Sequence, residues 1–358
     1  MIRLLPTLVG SAFAAATLPS STSGQAVPPA LAQFLTQTIA LNRDEMAAVS
    51  SGTPVVKVLE PADRLEIAVF GIVRVDVPRT FYVRRASDFP TALRSPTRVR
   101  FGVFSDPAVA ADVAAWSLPH DDVEDLLHCR AGACKLKLPA DAIARVQEAI
   151  TKGSPSADSL ASAFFRERIV EYVTAYRARG DSALVVYGDQ QSPAAAAQVL
   201  AAMLSRSPYM YEYAPSLARY LAHCPNDRPA DGRDVIYWAE DAPSGAKSTF
   251  TIAHEVVYGP PELPGVTFIA TKQLYADHYL DGALSLTAIV DAPGNQAGQA
   301  GIYLAVLRRA HLDAMPSSGP INLRGKVVGG VRDRTVTWLR ETKTQSEGAY
   351  ANAPASAR

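Results

Sequence analysis

The sequence predicts an α+β fold: a small N-terminal α+β domain, then a helical segment, then an antiparallel sheet with a C-terminal helix packed on it. Three observations point there. RLEIAVFGIVRVDV (64–77) alternates apolar and charged residues with period two, the mark of a half-buried strand. Between 158 and 223 the period changes to that of helices, with helix-stop and cap residues in place. From Val235 onward, five apolar runs separated by Gly, Pro, Asn and Asp read as successive strands, and such short connections imply antiparallel neighbours.

Taken in order, VPPALAQFLTQTIALNRDEMAAVSSG (27–52) reads as one broken or two short helices that stop at Gly52. In the next stretch Leu65, Ile67, Val69, Val73, Val75 and Val77 share an apolar face opposite Arg64, Glu66, Arg74 and Asp76, as in a strand pair, with Gly71 at a bulge or bend. TFYVRRASDF (80–89) and RVRFGVFSD (98–106) read as further strands. DDVEDLL (121–127) reads as a short helix, KLKL (135–138) as a short strand and ADAIARVQEAI (140–150) as a helix, closing a domain over 27–150.

TKGSPSADS (151–159) has the small, polar character of a linker. A helix follows over 158–179, where Leu160, Phe164, Ile169, Val173 and Tyr176 share a face and Gly180 supplies the stop. DSALVVYGD (181–189) is a short apolar segment. Ser192 is placed to cap a helix with Pro193 at its first position, and APSLARYLAH (214–223) reads as another helix. The strands are VIYWAED (235–241), TFTIAHEVVYG (249–259), VTFIATKQLYA (266–276), ALSLTAIVDA (283–292) and GIYLAVLRR (301–309), with Asp281-Gly282 as a two-residue hairpin signal. A helix over 326–342 closes the second unit (160–343), and 344–358 has the composition of a disordered tail.

Residues 1–26 carry Arg3, an apolar run from Leu4 to Leu18, and Gly24 and Ala26 spaced as at a cleavage site. That pattern predicts a secretory signal peptide cut after Ala26 and an exported, periplasmic or extracellular chain. No later segment is apolar for long enough to span a bilayer. The 35 basic and 35 acidic residues balance without a long run of either sign, which disfavours nucleic acid as a partner. Of the three cysteines, Cys129 and Cys134 in HCRAGACK are expected to form a disulfide across the tight loop at Gly132, and Cys224 is left free and buried. Zinc on His120, His128, Cys129 and Cys134 is disfavoured, because adjacent His128 and Cys129 are awkward ligands. No metal or cofactor is expected.

The chemistry-bearing residues concentrate in TKQLYADHYLDGALSL (271–286). His254 and His278 each fall on the more apolar side of a strand, where a core histidine satisfied by neighbours is the plain expectation. HEVVY (254–258) lacks the second histidine of a zinc-protease helix, and no GxSxG elbow occurs. A general acid–base pair drawn from His254, His278, Asp277 and Asp281 stays open, with His278 acting beside Asp277 or Asp281 as the alternative to binding without chemistry. A strand edge around 65–77 that pairs with a partner protein is a further alternative. Tyr213, Leu217 and Tyr220 fall at helical spacing and read as packing, and Lys135, Lys137, Arg308, Arg309 and Arg332 read as solvated faces.

The order of elements over 235–343, helices then meander then long helix, resembles the helix-grip domain of START-like and polyketide-cyclase-like proteins. KQLYADHY (272–279) and YLAVLRRAHLD (303–313) also resemble a family of exported bacterial proteins with no assigned activity. The helix-grip resemblance implies a curved sheet and helix around an apolar cavity, with a hydrophobic small molecule or lipid as the partner. On that reading the ligand-binding residues are His254, Tyr258, Tyr275 and His278, with no catalytic residue.

Overall fold

The computed structural model describes residues 27–354 except 62, 94, 96, 152–155, 294–299 and 315–322. The signal segment therefore lies outside the described residues, as do residues 152–155 of the 151–159 linker.

The strands are β1 (Val55–Leu59), β2 (Glu66–Val75), β3 (Arg98–Val103), β4 (Val186–Tyr187), β5 (Ala194–Ala195), β6 (Arg233–Asp241), β7 (Thr249–Tyr258), β8 (Val266–Ala276), β9 (Leu280–Ala292) and β10 (Gly301–Leu312). Eight of them form one antiparallel sheet in the order β1-β2-β10-β9-β8-β7-β6-β3, and β4 pairs with β5. The five predicted C-terminal strands are all present as the meander β6 to β10. The chain before residue 150 supplies both edges of the same sheet: β2 pairs with β10 on one side, and β3 with β6 on the other. The sheet thus does not divide between 27–150 and 160–343. β2 is paired along both sides, so the strand edge expected at 65–77 is closed.

The helices are α1 (Pro29–Gln33), α2 (Arg43–Ser50), α3 (Arg79–Ala86), α4 (Phe89–Ala92), α5 (His120–His128), α6 (Ala140–Thr151), α7 (Ala157–Arg179), α8 (Ala196–Ser205), α9 (Pro208–Tyr213), α10 (Pro215–His223) and α11 (Leu323–Ala351). TFYVRRASDF is helical instead of extended: Pro78 fixes the entry to α3, and Phe81 and Tyr82 pack downward onto the sheet. KLKL forms no strand. The helix expected from Pro193 starts later, at Ala196, because Ala194 and Ala195 are held in the β4–β5 pair. Asp281-Gly282 lies within β9, and the reversal falls one turn earlier, with Tyr279 at φ 64°.

Helices cover both faces of the sheet. On one face Phe70, Ile72, Tyr303, Ala305, Ile252 and Val256 pack against α7, α8 and α10 in the largest core, joined by Leu200, Leu217 and Val173. On the other face Val73, Val75, Ile302, Leu304, Val306 and Ile289 pack against Leu339 and Trp338 of α11 and Phe81 and Tyr82 of α3. Gly71 is no bulge; it is the point where α11 touches β2. A Cβ there would stand 3.0 Å from both Leu339 Cδ1 and Thr335 Cγ2. α11 also runs past its expected end: Ser346 is buried, and Tyr350 packs edge-on against Phe81 at 5.0 Å, so most of the stretch expected to be disordered is helical.

Candidate functional site

The four ligand-binding residues expected from the sequence all lie in β7, β8 or the turn after β8, and none is exposed. His254 faces α7 and α10. Its Nε2 is 3.2 Å from Asp234 Oδ2, its Nδ1 is 3.0 Å from the Tyr176 hydroxyl, and Tyr176 and Tyr220 stand edge-on to the ring. Burial works against its charge, but the hydrogen bonds to Asp234 and Cys224 outweigh burial and raise its pKa. Tyr275 donates to the Lys137 carbonyl at 2.9 Å and lines an apolar recess of about 300 Å3 with Phe164, Ile169 and Tyr172 of α7. Tyr258 is buried in the core. His278 is 3.2 Å from Asp122 Oδ2 on α5, a partner far away in sequence. Tyr275 and His254 border different recesses, so the structure does not gather the four around one hollow.

The carboxylates proposed as partners of His278 are otherwise engaged. Asp277 accepts from the Phe250 N–H at 2.8 Å, and burial pushes its pKa up to about 7. Asp281 accepts from Lys137 Nζ at 2.7 Å and lies 3.0 Å from His311 Nδ1, whose Nε2 is 3.3 Å from Asp63. Lys137, Asp281 and His311 line a polar recess of about 620 Å3 that Asp189 and Asp313 also border. Lys137 is only 1% exposed and lies over the Tyr187 ring, so its reading as a solvated cation is overturned. Arg309 is likewise buried, 2.6 Å from Glu66. The expected disulfide joins Cys129 to Cys134, and His120 bonds to Asp158.

Sequence reasoning missed the opposite face. Cross-strand register aligns Arg308 of β10 with Ser285 of β9, Ser285 with Thr271 of β8, and Thr271 with Glu255 of β7. Direct neighbours in antiparallel strands point their side chains the same way, about 5 Å apart. The four therefore form a polar row across the face that carries α3 and α11. All four are half-buried. Trp338 of α11 covers Arg308, whose guanidinium carbon lies 4.4 Å from the ring centroid. Tyr82 of α3 feels the charges of both Arg308 and Glu255, and Tyr237 of β6 that of Glu255.

Burial dominates the acid–base behaviour of both ends of this row. It lowers the Arg308 pKa to about 10 and raises that of Glu255 to about 7, against a 3.2 Å hydrogen bond from Thr271. Both groups are thus crowded by protein yet still touched by solvent. Among the described residues, Arg308 meets the Trp338 ring and no carboxylate. Arg308-Arg309 inside an apolar strand was the available signal, because adjacent strand residues point to opposite faces and both faces here are covered.

No family model and no curated protein matches the chain. Among solved structures, the di-domain aromatase/cyclase StfQ from the steffimycin biosynthetic pathway is similar at 17% identity and a TM-score of 0.21, over 56% of this chain and 62% of that one. The protein Ara h 8.0201 is similar at 9% identity and a TM-score of 0.16, over 41% of this chain and 90% of that one. The chain spans less than two thirds of the length of the aromatase/cyclase. The chain's own coordinates establish the class: an α+β protein with a large antiparallel sheet and a C-terminal helix packed on it.

Proposed function

We propose that the protein is an exported binder of a hydrophobic small molecule that bears an acidic group, held over the sheet face beneath α3 and α11. The observation that carries this reading is Arg308, a half-buried cation on an apolar face with no carboxylate partner among the described residues. An uncompensated guanidinium at such a depth costs free energy unless an anion completes it, and its planar fork suits a carboxylate. Tyr82, Tyr237, Ile269 and Val257 supply apolar wall around the polar row. This moves the ligand from the His254 face to the opposite one, and His254, Tyr258, Tyr275 and His278 are then buried residues of the other side. The Cys129–Cys134 disulfide supports the exported reading.

The test is mass spectrometry of small molecules extracted from the natively purified mature chain, wild type beside Arg308→Met. The wild type is expected to carry an acid-bearing apolar compound that the variant loses by at least ~10-fold, the effect of removing a charged hydrogen bond. Equal ligand content in a folded Arg308→Met protein refutes the reading.

A further inference from the structure

The polar recess of about 620 Å3 lies at the end of the sheet where β9 begins and β10 finishes, against the disulfide loop and the β4–β5 ribbon. Backbone hydrogen bonds hold its frame. The Gly132 N–H donates to the Gly188 carbonyl and the Gly188 N–H to the Leu138 carbonyl, both at 2.8 Å, and the Cys134 N–H donates to the Asp189 carbonyl at 2.9 Å. Gly188 permits this close approach, since a Cβ on it would stand 2.8 Å from the Ala140 nitrogen. Asp189, in the turn after β4, is therefore anchored through its backbone.

Three carboxylates, Asp189, Asp281 and Asp313, line the recess with one ammonium, Lys137, and one imidazole, His311. Asp281 serves both bases, 2.7 Å from Lys137 Nζ and 3.0 Å from His311 Nδ1. A fourth carboxylate, Asp63, meets His311 Nε2 at 3.3 Å, so acids outnumber bases here. Asp189 is the one left incomplete. Its side chain is 2% exposed, and its Oδ2 is 3.9 Å from Lys137 Nζ, beyond hydrogen-bond reach. Its Oδ1 is buried with no hydrogen-bond partner. A carboxylate oxygen at this depth costs free energy until a donor completes it. The pKa of Asp189 shows the same deficit: burial raises it, and Lys137 and Gln190 together do not offset burial.

We propose that this recess binds a small primary alkylammonium ion, whose N–H groups complete Asp189 Oδ1 and whose chain lies along Leu65, Pro193 and Ala194. An ammonium suits the recess better than a metal ion. Lys137 Nζ already stands within 3.9 Å of all three carboxylates, at the point an ion would share, and among the described residues no three side chains converge as metal ligands. The walls also accept an ammonium beside an aromatic ring, since Lys137 Nζ lies 4.2 Å from the Tyr187 ring centroid. This site shares no residue with the row at Arg308, so the two proposals stand or fall separately.

The probe is n-butylamine at pH 7, titrated calorimetrically into the natively purified chain, with tetramethylammonium as a cation that has no N–H to donate. The chain is expected to bind n-butylammonium at least ~10-fold more tightly than tetramethylammonium, and Asp189→Asn to weaken n-butylammonium by at least ~10-fold, the share of one charged hydrogen bond. The substitution keeps the size of the side chain and removes its charge, and circular dichroism confirms its fold; if the variant is unfolded, the comparison of the two cations in the wild type decides. No binding of n-butylamine at ~20 mM, equal affinity for the two cations, or unchanged affinity in folded Asp189→Asn overturns the proposal.

Discussion

Lys137 Nζ lies 2.7 Å from Asp281 Oδ1 with both side chains almost fully buried, and these residues are far apart in the chain. The pair ties the segment after the disulfide loop to the start of β9. Removing one partner of a buried ion pair leaves the other charge uncompensated, which costs about 3–5 kcal/mol. Asp189 and Asp313 stand 3.9 Å from the same ammonium and soften that loss. Asp281→Asn is therefore expected to destabilise the protein by about 3 kcal/mol in urea unfolding, and a change below 1 kcal/mol would show that the other two carboxylates suffice.

Asp277 predicts the opposite behaviour. Its folded pKa of about 7 lies above the ordinary aspartate value of 3.8, because burial disfavours the carboxylate. The folded state then binds the proton more tightly than the unfolded state, so this group withdraws stability as pH rises from about 4 to about 7 and gives none back above that. An asparagine can still accept the Phe250 N–H through its carbonyl. Asp277→Asn is expected to match wild type at pH 4 and to exceed it at pH 8 by about 1–3 kcal/mol, measured as urea midpoints at the two values. Equal midpoints at pH 8 would show that the carboxylate is solvated.

Gly71 shows how closely α11 sits on the sheet. Its absent Cβ leaves room for Leu339 and Thr335, and Leu339 is fully buried. Gly71→Ala forces a methyl group into two contacts at 3.0 Å and is expected to cost about 1–3 kcal/mol by overpacking. Leu339→Ala is expected to cost about 2–5 kcal/mol by leaving a cavity. The double variant should cost less than the sum, since the added methyl fills part of the hole. Strict additivity in thermal unfolding would place the two residues out of contact.

These residues also mark what the sequence could tell. Alternation identified β2 and the meander β6 to β10, because each strand's pattern is written within a few residues of itself. It could not reveal that β2 pairs with β10, since Val75 meets Ile302 only through the register of a distant strand. The Phe81-Tyr82 pair in RTFYVRRA suits a strand by propensity, yet Pro78 and the packing of both rings against α11 and the sheet made it a helix. The polar row escaped the sequence for a related reason. Alternation correctly grouped His254 with Ile252 and Val256, but nothing local says which helices come to cover each face of the sheet. Arg308, Ser285, Thr271 and Glu255 carry no spacing motif, and only the folded register brings them into one row.

That row predicts how ligand retention depends on pH. Glu255 stands at one end with a pKa of about 7, and Arg308 at the other. Below pH 7 Glu255 is largely neutral, and the polar row presents a cation to an acid-bearing ligand. Above pH 7 it ionises, and the new charge repels the ligand's carboxylate across a low-dielectric space. The groups facing Glu255 are Tyr237 on the neighbouring strand β6, Arg98 one strand further on β3, Thr271 beside it, His254 behind it and Tyr82 above it. The tyrosines stay neutral through this range because burial raises their pKa values further. Affinity for an apolar carboxylic acid is therefore expected to fall roughly 10-fold between pH 6 and pH 8.5, about one pKa unit's worth of differential interaction. Glu255→Gln should remove the fall while keeping the pH 6 affinity, and Arg308→Met should lower affinity at both values. Calorimetric titration with a medium-chain fatty acid at the two pH values measures all three. A fall of the same size in Glu255→Gln would assign the titration to another group and remove Glu255 from the site.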